Sequence, residues 1–223
     1  MFTFSCNSLM FLLILLSASS TYADNSDYIK ALFHYIDEGD FSLISELIDQ
    51  GVNIEATNEN GNTALIYAVD RGYINTVKLL IDKGANIEAR SKEDGFTPLM
   101  LSVIHGNIKM AKLLIDKGAN IEERATEHGL TALLMAVYGG NIETVKFLIE
   151  KGANIEMATY DGQTPLITAV QRQTPHLEIV KYLIDKGANM QAMDEAGQTA
   201  LSVATKHSYV EIVNLLKQAM NKK

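Results

Sequence analysis

The sequence has one cysteine, three prolines and no tryptophan among its 223 residues. The cysteine, Cys6, has no second cysteine to pair with, so the fold must be held by packing without disulfide bonds. Basic residues are also few, because 19 lysines and arginines stand against 27 acidic residues and give a net charge of −8. A nucleic-acid partner would call for a concentrated basic face. The composition therefore argues against binding to DNA or RNA.

The first 23 residues contain no Asp, Glu, Lys or Arg. They include the apolar run "LMFLLILL", followed by small residues, with Thr21 and Ala23 at the small-residue positions of a signal-peptidase site. A membrane-spanning helix needs about 20 apolar residues, so this run is too short to be one. The pattern predicts a signal peptide over 1–23, cleaved before Asp24, and export to a secreted or periplasmic location. If the segment stayed uncleaved, the protein would instead be a structural scaffold tethered near a membrane.

One phrase recurs along the chain at a nearly constant interval. "LLIDKGANIEAR" at 79–90 returns as "LLIDKGANIEER" at 113–124, and three looser copies are present. A second landmark is the glycine of "NGNTAL" and its relatives, which falls at positions 61, 95, 129, 162 and 197. The steps between these glycines are 34, 34, 33 and 35 residues. Two landmarks with one period indicate internal repeats of a single supersecondary unit.

Local chemistry assigns two helices to each repeat. Pairs such as Asn60-Gly61 favour a tight turn, and a threonine follows two residues after each landmark glycine. Threonine is a good helix cap, and a proline directly after it, as at Pro98, suits the first helical position because proline lacks the N–H that would be unpaired there. A second helix with an apolar stripe follows and ends at pairs such as Lys83-Gly84. The five capping threonines are Thr63, Thr97, Thr131, Thr164 and Thr199.

A turn and two helices in about 33 residues resemble the ankyrin repeat. Its hallmark T-P-L-H-x-A stands here as "TALIYA", "TPLMLS", "TALLMA", "TPLITA" and "TALSVA". The resemblance implies an all-α solenoid of helix pairs with β-turn or hairpin fingers, in about six repeats including the capping ends. The hallmark histidine is replaced in every copy, so apolar contact is expected to substitute for it. The replacing residues are Ile66, Met100, Leu134, Ile167 and Ser202.

The resemblance places one repeat domain at 24–223. An amino-terminal capping helix pair is expected at 27–56, and the five repeats are expected at 58–90, 91–124, 125–158, 159–193 and 194–223. Each helix pair would bury its apolar face against its neighbours, so stability would come from the interfaces between repeats. The fourth repeat has two extra residues in "QRQTPHLEIV", which predicts a protruding loop at Pro175.

The sequence contains no constellation of residues for catalysis or metal binding. Acidic residues near the turn tips recur once or twice per repeat, and repeats stand roughly 8–10 Å apart, so their carboxylates cannot converge on a calcium ion. The five histidines show no short ligand spacing, and the threonines are accounted for as helix caps. We expect a protein that is not an enzyme and has no cofactor or metal. An enzyme or a metal-dependent protein is the alternative.

The resemblance implies that another protein binds to the turn tips and to the concave face made by the first helices. At these positions the middle repeats carry apolar residues where the outer repeats carry polar ones. An apolar centre with a polar rim is how protein interfaces are commonly built. We predict a monomeric adaptor, inhibitor or effector that binds a partner protein and, after signal cleavage, no membrane. Packing of the apolar residues within their own stack is the alternative. The predicted partner-binding residues are Phe96, Ile104, Leu130, Tyr138, Arg71 and Arg172.

Overall fold

The computed structural model describes residues 25–171 and 175–221 and gives twelve helices over those ranges. The predicted signal peptide lies outside the described residues, as do three residues of the predicted protruding loop. The chain divides after Asn86 into two compact units, residues 1–86 and 87–223, which are described in turn. Across the described ranges, none of the helices has both the length and the apolar character needed to cross a bilayer.

The first unit contains two helix pairs. They are α1 (Asn25–Glu38), α2 (Phe41–Asp49), α3 (Ala64–Asp70) and α4 (Ile74–Asp82). Helix α1 packs against α3, and α2 packs against α4, so the pairs lie side by side. Leu32, Ile44, Leu65 and Leu80 are fully buried between them. Helices α1 and α2 occupy the region expected for the amino-terminal capping pair.

The second unit contains four helix pairs. They are α5 (Pro98–Ile104) with α6 (Ile108–Asp116), α7 (Ala132–Tyr138) with α8 (Ile142–Glu150), α9 (Pro165–Val170) with α10 (Leu177–Asp185), and α11 (Ala200–Lys206) with α12 (Val210–Met220). The first helices α5, α7, α9 and α11 pack successively against one another, and so do the second helices α8, α10 and α12. The unit therefore has two helical layers, with the core between successive pairs.

Each first helix begins directly after the threonine that predicts it. The side chain of each of these threonines accepts a hydrogen bond from the backbone N–H three residues further on. In α7, for example, the Leu134 N–H donates to Thr131 Oγ1 at 3.3 Å. Because a threonine hydroxyl here satisfies an N–H that has no partner within the helix, it fixes where the helix starts. The predicted starts are confirmed.

The positions of the missing hallmark histidine are filled by packing in four of the five repeats. Ile66, Met100, Leu134 and Ile167 are all at most 1% exposed. Ser202, in the last repeat, is exposed, and its Oγ instead accepts a hydrogen bond from the Thr199 N–H at 2.9 Å. Apolar burial thus replaces the histidine in four repeats, and a local polar contact replaces it in the last repeat.

The recurring "ANIE" has a structural reason in contacts between successive repeats. In each copy the backbone N–H of the asparagine donates to the glutamate Oε1 of the preceding repeat at 2.7 Å. The four bonds are Asn86 to Glu55, Asn120 to Glu88, Asn154 to Glu122 and Asn189 to Glu156. One lies in the first unit and three lie in the second. We call this set the glutamate ladder. It links each of the first four repeats to the helix pair before it.

The longer connection in the fourth repeat rejoins the common pattern at His176. The His176 N–H donates to the Ala169 carbonyl at 3.2 Å, as the Asn141 N–H donates to the Ala136 carbonyl at 3.1 Å in the preceding repeat. The extra residues are therefore accommodated before α10 starts. Residues 172–174 of the predicted protruding loop lie outside the described residues, so the protrusion stays a prediction.

Candidate interaction surface

Two large apolar side chains stand exposed at the ends of adjacent helices in the second unit. Ile104 is the last residue of α5 and is 50% exposed, and Tyr138 is the last residue of α7 and is 58% exposed. Helices α5 and α7 pack side by side. The preceding residues Val103 and Val137 are buried, so the helix ends are firmly packed beneath the exposed pair. We call Ile104 and Tyr138 the apolar pair.

Phe96 and Leu130 belong to the fingers that lead into these two helices. Each is half-buried. The Phe96 carbonyl accepts a hydrogen bond from the Ser91 N–H at 2.9 Å, and the Leu130 carbonyl accepts one from the Ala125 N–H at 2.8 Å. The backbones of both residues therefore close hairpin-like fingers. Their side chains are partly available to a partner and partly used by the fold.

The structure describes one of the two predicted arginines, and it lies in the first unit. Arg71 follows α3 in the first unit, is exposed, and holds its guanidinium carbon 5.0 Å from the centroid of the Tyr67 ring. Arg172 lies outside the described residues. The structure thus places four of the six predicted residues, Phe96, Ile104, Leu130 and Tyr138, on two neighbouring repeats.

The Arg90 side chain connects two fingers of the second unit. Arg90 Nη1 donates to the Gly95 carbonyl at 3.0 Å and to the Arg124 carbonyl at 2.8 Å. Its Nη2 donates to a Glu123 carboxylate oxygen at 2.6 Å. A planar guanidinium with several donors can hold two backbone segments and a carboxylate at once. The finger before α5 is therefore tied to the finger before α7.

Tyr160 is an exposed aromatic residue that the sequence reasoning did not single out. It is 54% exposed, its backbone N–H donates to the His128 carbonyl at 2.9 Å, and its ring centroid lies 5.4 Å from the Arg124 guanidinium carbon. The sequence does mark this position, because the other four repeats have a glutamate two residues before the landmark glycine. Those residues are Glu59, Glu93, Glu127 and Glu195. The finger before α9 thus adds an aromatic side chain to the exposed surface of the second unit.

The charged side chains around this surface lie at the finger tips. Within residues 25–171 and 175–221, no group of three or more His, Cys, Asp or Glu is placed to hold a metal ion. The finger tips carry exposed acidic side chains such as Glu127 and Asp161. Apolar and aromatic side chains on rigid helix ends, with charged side chains beyond them, are features of protein-binding surfaces.

The stacked helix pairs define a helical repeat protein. The family profile described as ankyrin repeats, in three copies, matches residues 3–91, 85–159 and 156–223. The chain belongs to the ankyrin repeat family, and the predicted fold class is confirmed. Ankyrin repeats generally mediate protein–protein interaction, and their fold is typically a non-catalytic interaction module.

A solved structure supports the same assignment. The chain is similar to the crystal structure of an ankyrin repeat domain from Acinetobacter baumannii AYE, with 30% sequence identity and a TM-score of 0.74. The match covers 85% of this chain and 97% of that one. A search of curated protein sequences finds no match.

Proposed function

We propose that this ankyrin repeat protein is an exported, non-catalytic module that binds a partner protein through the second unit. The apolar pair, Ile104 and Tyr138, would be the main anchors. Phe96 and Leu130 would contribute their partly exposed side chains at the edge of the same surface. The acidic finger tips would form a polar border around them.

The exposure of the apolar pair is the observation that carries this proposal. A helix end that only serves the fold has no need of a large apolar side chain in water, and the equivalent positions of the outer repeats in this unit are Gln171 and Lys206. A partner that covered Ile104 and Tyr138 would remove their apolar area from water, which is favourable by roughly 25 cal/mol per Å². Aromatic side chains near the centre of an interface often dominate its binding energy.

Replacing both members of the apolar pair tests the proposal. In the double variant Ile104→Ser, Tyr138→Ser, capture of the bound partner from extracts and culture medium should fall at least about tenfold, as expected when a hot spot is removed. Capture is measured by quantitative mass spectrometry against the unaltered chain. The melting temperature should change by no more than about 2 °C, because exposed substitutions usually change stability little.

Val210→Ser is the matched control. Val210 is 68% exposed, but it begins α12 in the layer of second helices. It should leave capture of the same partner unchanged. Equal loss of capture in the control, or a large fall in the melting temperature of the double variant, would show that the apolar pair supports the fold rather than the interface.

A further inference from the structure

A groove of about 680 Å³ lies within the first unit, between α1, α3 and the finger at 57–60. Helix α1 contributes Ser26, Ile29, Lys30 and Phe33, which share one face because they are spaced three, four and seven residues apart. Tyr67 and Arg71 line the opposite side. Of these residues, Arg71 was named from sequence as a partner-binding residue.

The floor of the groove is a fixed pair of aromatic rings. The centroids of Phe33 and Tyr67 are 5.4 Å apart, with an interplanar angle of 84°, which is a favourable edge-to-face arrangement. The Tyr67 hydroxyl donates to the Asp37 carboxylate at 2.8 and 2.9 Å. Burial raises the pKa of the Tyr67 phenol, and the hydrogen bond to Asp37 raises it further, so the hydroxyl stays a donor at neutral pH. The floor is therefore preorganised and apolar.

The walls of the groove are rich in hydrogen-bond donors. Lys30 is exposed and 3.9 Å from Asp27, and Arg71 is exposed beside the Tyr67 ring. Asn58 Oδ1 already accepts from the N–H groups of Asn60 and Asn62, so its NH₂ group is the part left for a ligand. These groups favour an acceptor with negative charge.

The charge of the lining differs from that of the chain. Two cations, Lys30 and Arg71, line the groove together with one anion, Glu59. The whole chain has the opposite balance, with 27 acidic and 19 basic residues. Asp37, which accepts the hydrogen bond from the Tyr67 hydroxyl, lines a different cavity. Charge complementarity therefore indicates a carboxylate-bearing occupant for this groove.

The length of the groove indicates a peptide. From Ser26 to Phe33 the α1 face extends about 10 Å, at 1.5 Å per helical residue. An extended chain rises about 3.3 Å per residue, so the groove accommodates about three residues of a bound strand. The apolar floor suits a middle residue without charge, and the cationic walls suit its neighbours.

We propose that the groove of the first unit binds an extended segment of a partner protein in which one apolar side chain is flanked by carboxylates. The apolar side chain would lie on Phe33 and Tyr67. The flanking carboxylates would accept hydrogen bonds from Lys30 and Arg71. The inference rests on the proposed function as a protein-binding module, but it uses residues of the first unit and can fail separately from the apolar pair.

Synthetic peptides with a Glu-Leu-Glu core test the chemistry directly. A fluorescein-labelled peptide with this core and Gly-Ser flanks is titrated with the intact chain and followed by fluorescence anisotropy. We expect it to bind at least about tenfold more tightly than the Gln-Leu-Gln peptide, and we expect the Lys-Leu-Lys peptide to bind most weakly. The preference for glutamate should shrink as sodium chloride is raised from about 0.05 M to about 0.5 M, because salt screens exposed charges.

Variants test whether the preference for the glutamate peptide arises in the groove. Lys30→Gln combined with Arg71→Gln should lower the affinity for the Glu-Leu-Glu peptide about tenfold, to that of the glutamine peptide. Lys206→Gln, which removes an exposed cation at the end of α11, is the matched control and should change nothing. The Ile104→Ser, Tyr138→Ser variant should also bind the peptide normally, whatever its effect on capture of the partner.

Several results would overturn the proposal. The first is equal affinity for the glutamate and glutamine peptides, and the second is tighter binding of the lysine peptide than of the glutamate peptide. The third is a loss of affinity in Lys206→Gln as large as that in the Lys30→Gln, Arg71→Gln variant. The fourth is no binding by the unaltered chain at concentrations up to about 1 mM, which corresponds to a very weak complex. If the Lys30→Gln, Arg71→Gln variant melts at a lower temperature, the salt dependence of peptide binding by the unaltered chain tests the proposal instead. A preference for glutamate that salt does not weaken would then overturn the proposal.

Discussion

At the scale of single residues, Ser208 is strained. It adopts a left-handed conformation, with φ at 58°, in the turn between α11 and α12. The corresponding turns of other repeats have glycine, with φ at 64° for Gly106 and 72° for Gly140. A left-handed conformation costs an L-residue roughly 1–2 kcal/mol, whereas glycine adopts it freely. The last repeat therefore carries a local cost that the others avoid.

Ser208→Gly should raise the free energy of unfolding by about 0.5–1 kcal/mol. The gain is smaller than the strain because glycine also gives the unfolded chain more conformational entropy. Urea denaturation followed by circular dichroism measures it. The reverse change, Gly106→Ser, should lower the free energy by a similar amount, because a Cβ at Gly106 would meet only an ordinary contact, the Asn141 side-chain nitrogen at 3.7 Å. If Ser208→Gly is destabilising while Gly106→Ser is neutral, the strain argument is wrong.

At the scale of the structural elements, the titration of Glu88 in the glutamate ladder is shifted. Burial raises the pKa of the Glu88 carboxyl above 4.5, and this effect outweighs the hydrogen bond from the Asn120 N–H, which acts in the opposite direction. In the folded protein Glu88 therefore holds its proton more tightly than in the unfolded chain. Stability falls as pH rises from 4.5 through the raised pKa, and the loss is complete above it.

Glu88→Gln should remove this fall. The glutamine carbonyl can still accept from the Asn120 N–H, and it carries no charge to desolvate. The variant should become more stable than the unaltered chain as pH rises through this window, and the two should converge below pH 4.5. Urea unfolding at a series of pH values measures the difference in free energy.

A control and a natural precedent accompany this prediction. Glu195→Gln removes the same charge from an exposed finger tip, so it is the control for the change in net charge.

The chain itself has a glutamine, Gln191, at the position where the preceding repeats have the glutamates of the ladder. A difference between Glu88→Gln and the unaltered chain that stayed constant with pH would contradict the assignment to Glu88.

Local elements were predictable from sequence, and contacts between repeats were not. Thr131 caps α7, and Lys83 with Gly84 ends α4, because caps depend on a few neighbouring residues. The bond from the Asn120 N–H to Glu88 joins residues in different repeats and is not visible in either repeat alone. The recurring "ANIE" marked a constraint, but only the stacked structure showed what it was.

For the candidate surface, too, the sequence predicted the residues but not their contacts with neighbouring elements. The sequence placed Phe96 and Ile104 in one apolar group, whereas the structure leaves Phe96 largely covered and Ile104 50% exposed. Their difference depends on how the finger lies against its neighbours, which the periodic pattern does not encode. The groove of the first unit was missed for a similar reason, since Phe33 and Tyr67 come from different helix pairs and meet only after folding.

At the scale of the whole molecule, the export prediction concerns where the protein acts. The single cysteine lies inside the predicted signal peptide, so the mature chain would need no disulfide bond in an oxidising compartment. A partner would then be met outside the cytoplasm. Both proposed binding surfaces lie downstream of Asp24 and would be kept after cleavage.

The amino terminus of the exported protein tests this prediction. We expect amino-terminal sequencing and intact mass to show a start at Asp24, because the apolar run is too short to span a bilayer and is followed by small residues that signal peptidase accepts. Ala23→Leu should block cleavage and leave the precursor cell-associated, because a large residue replaces the small one at the cleavage site. Ala192→Leu, far from this site, is the control and should be processed normally. A secreted chain that still begins at Met1, or a chain that stays in the cytoplasm, would refute export by cleavage and leave tethering or an internal location to explain the apolar segment.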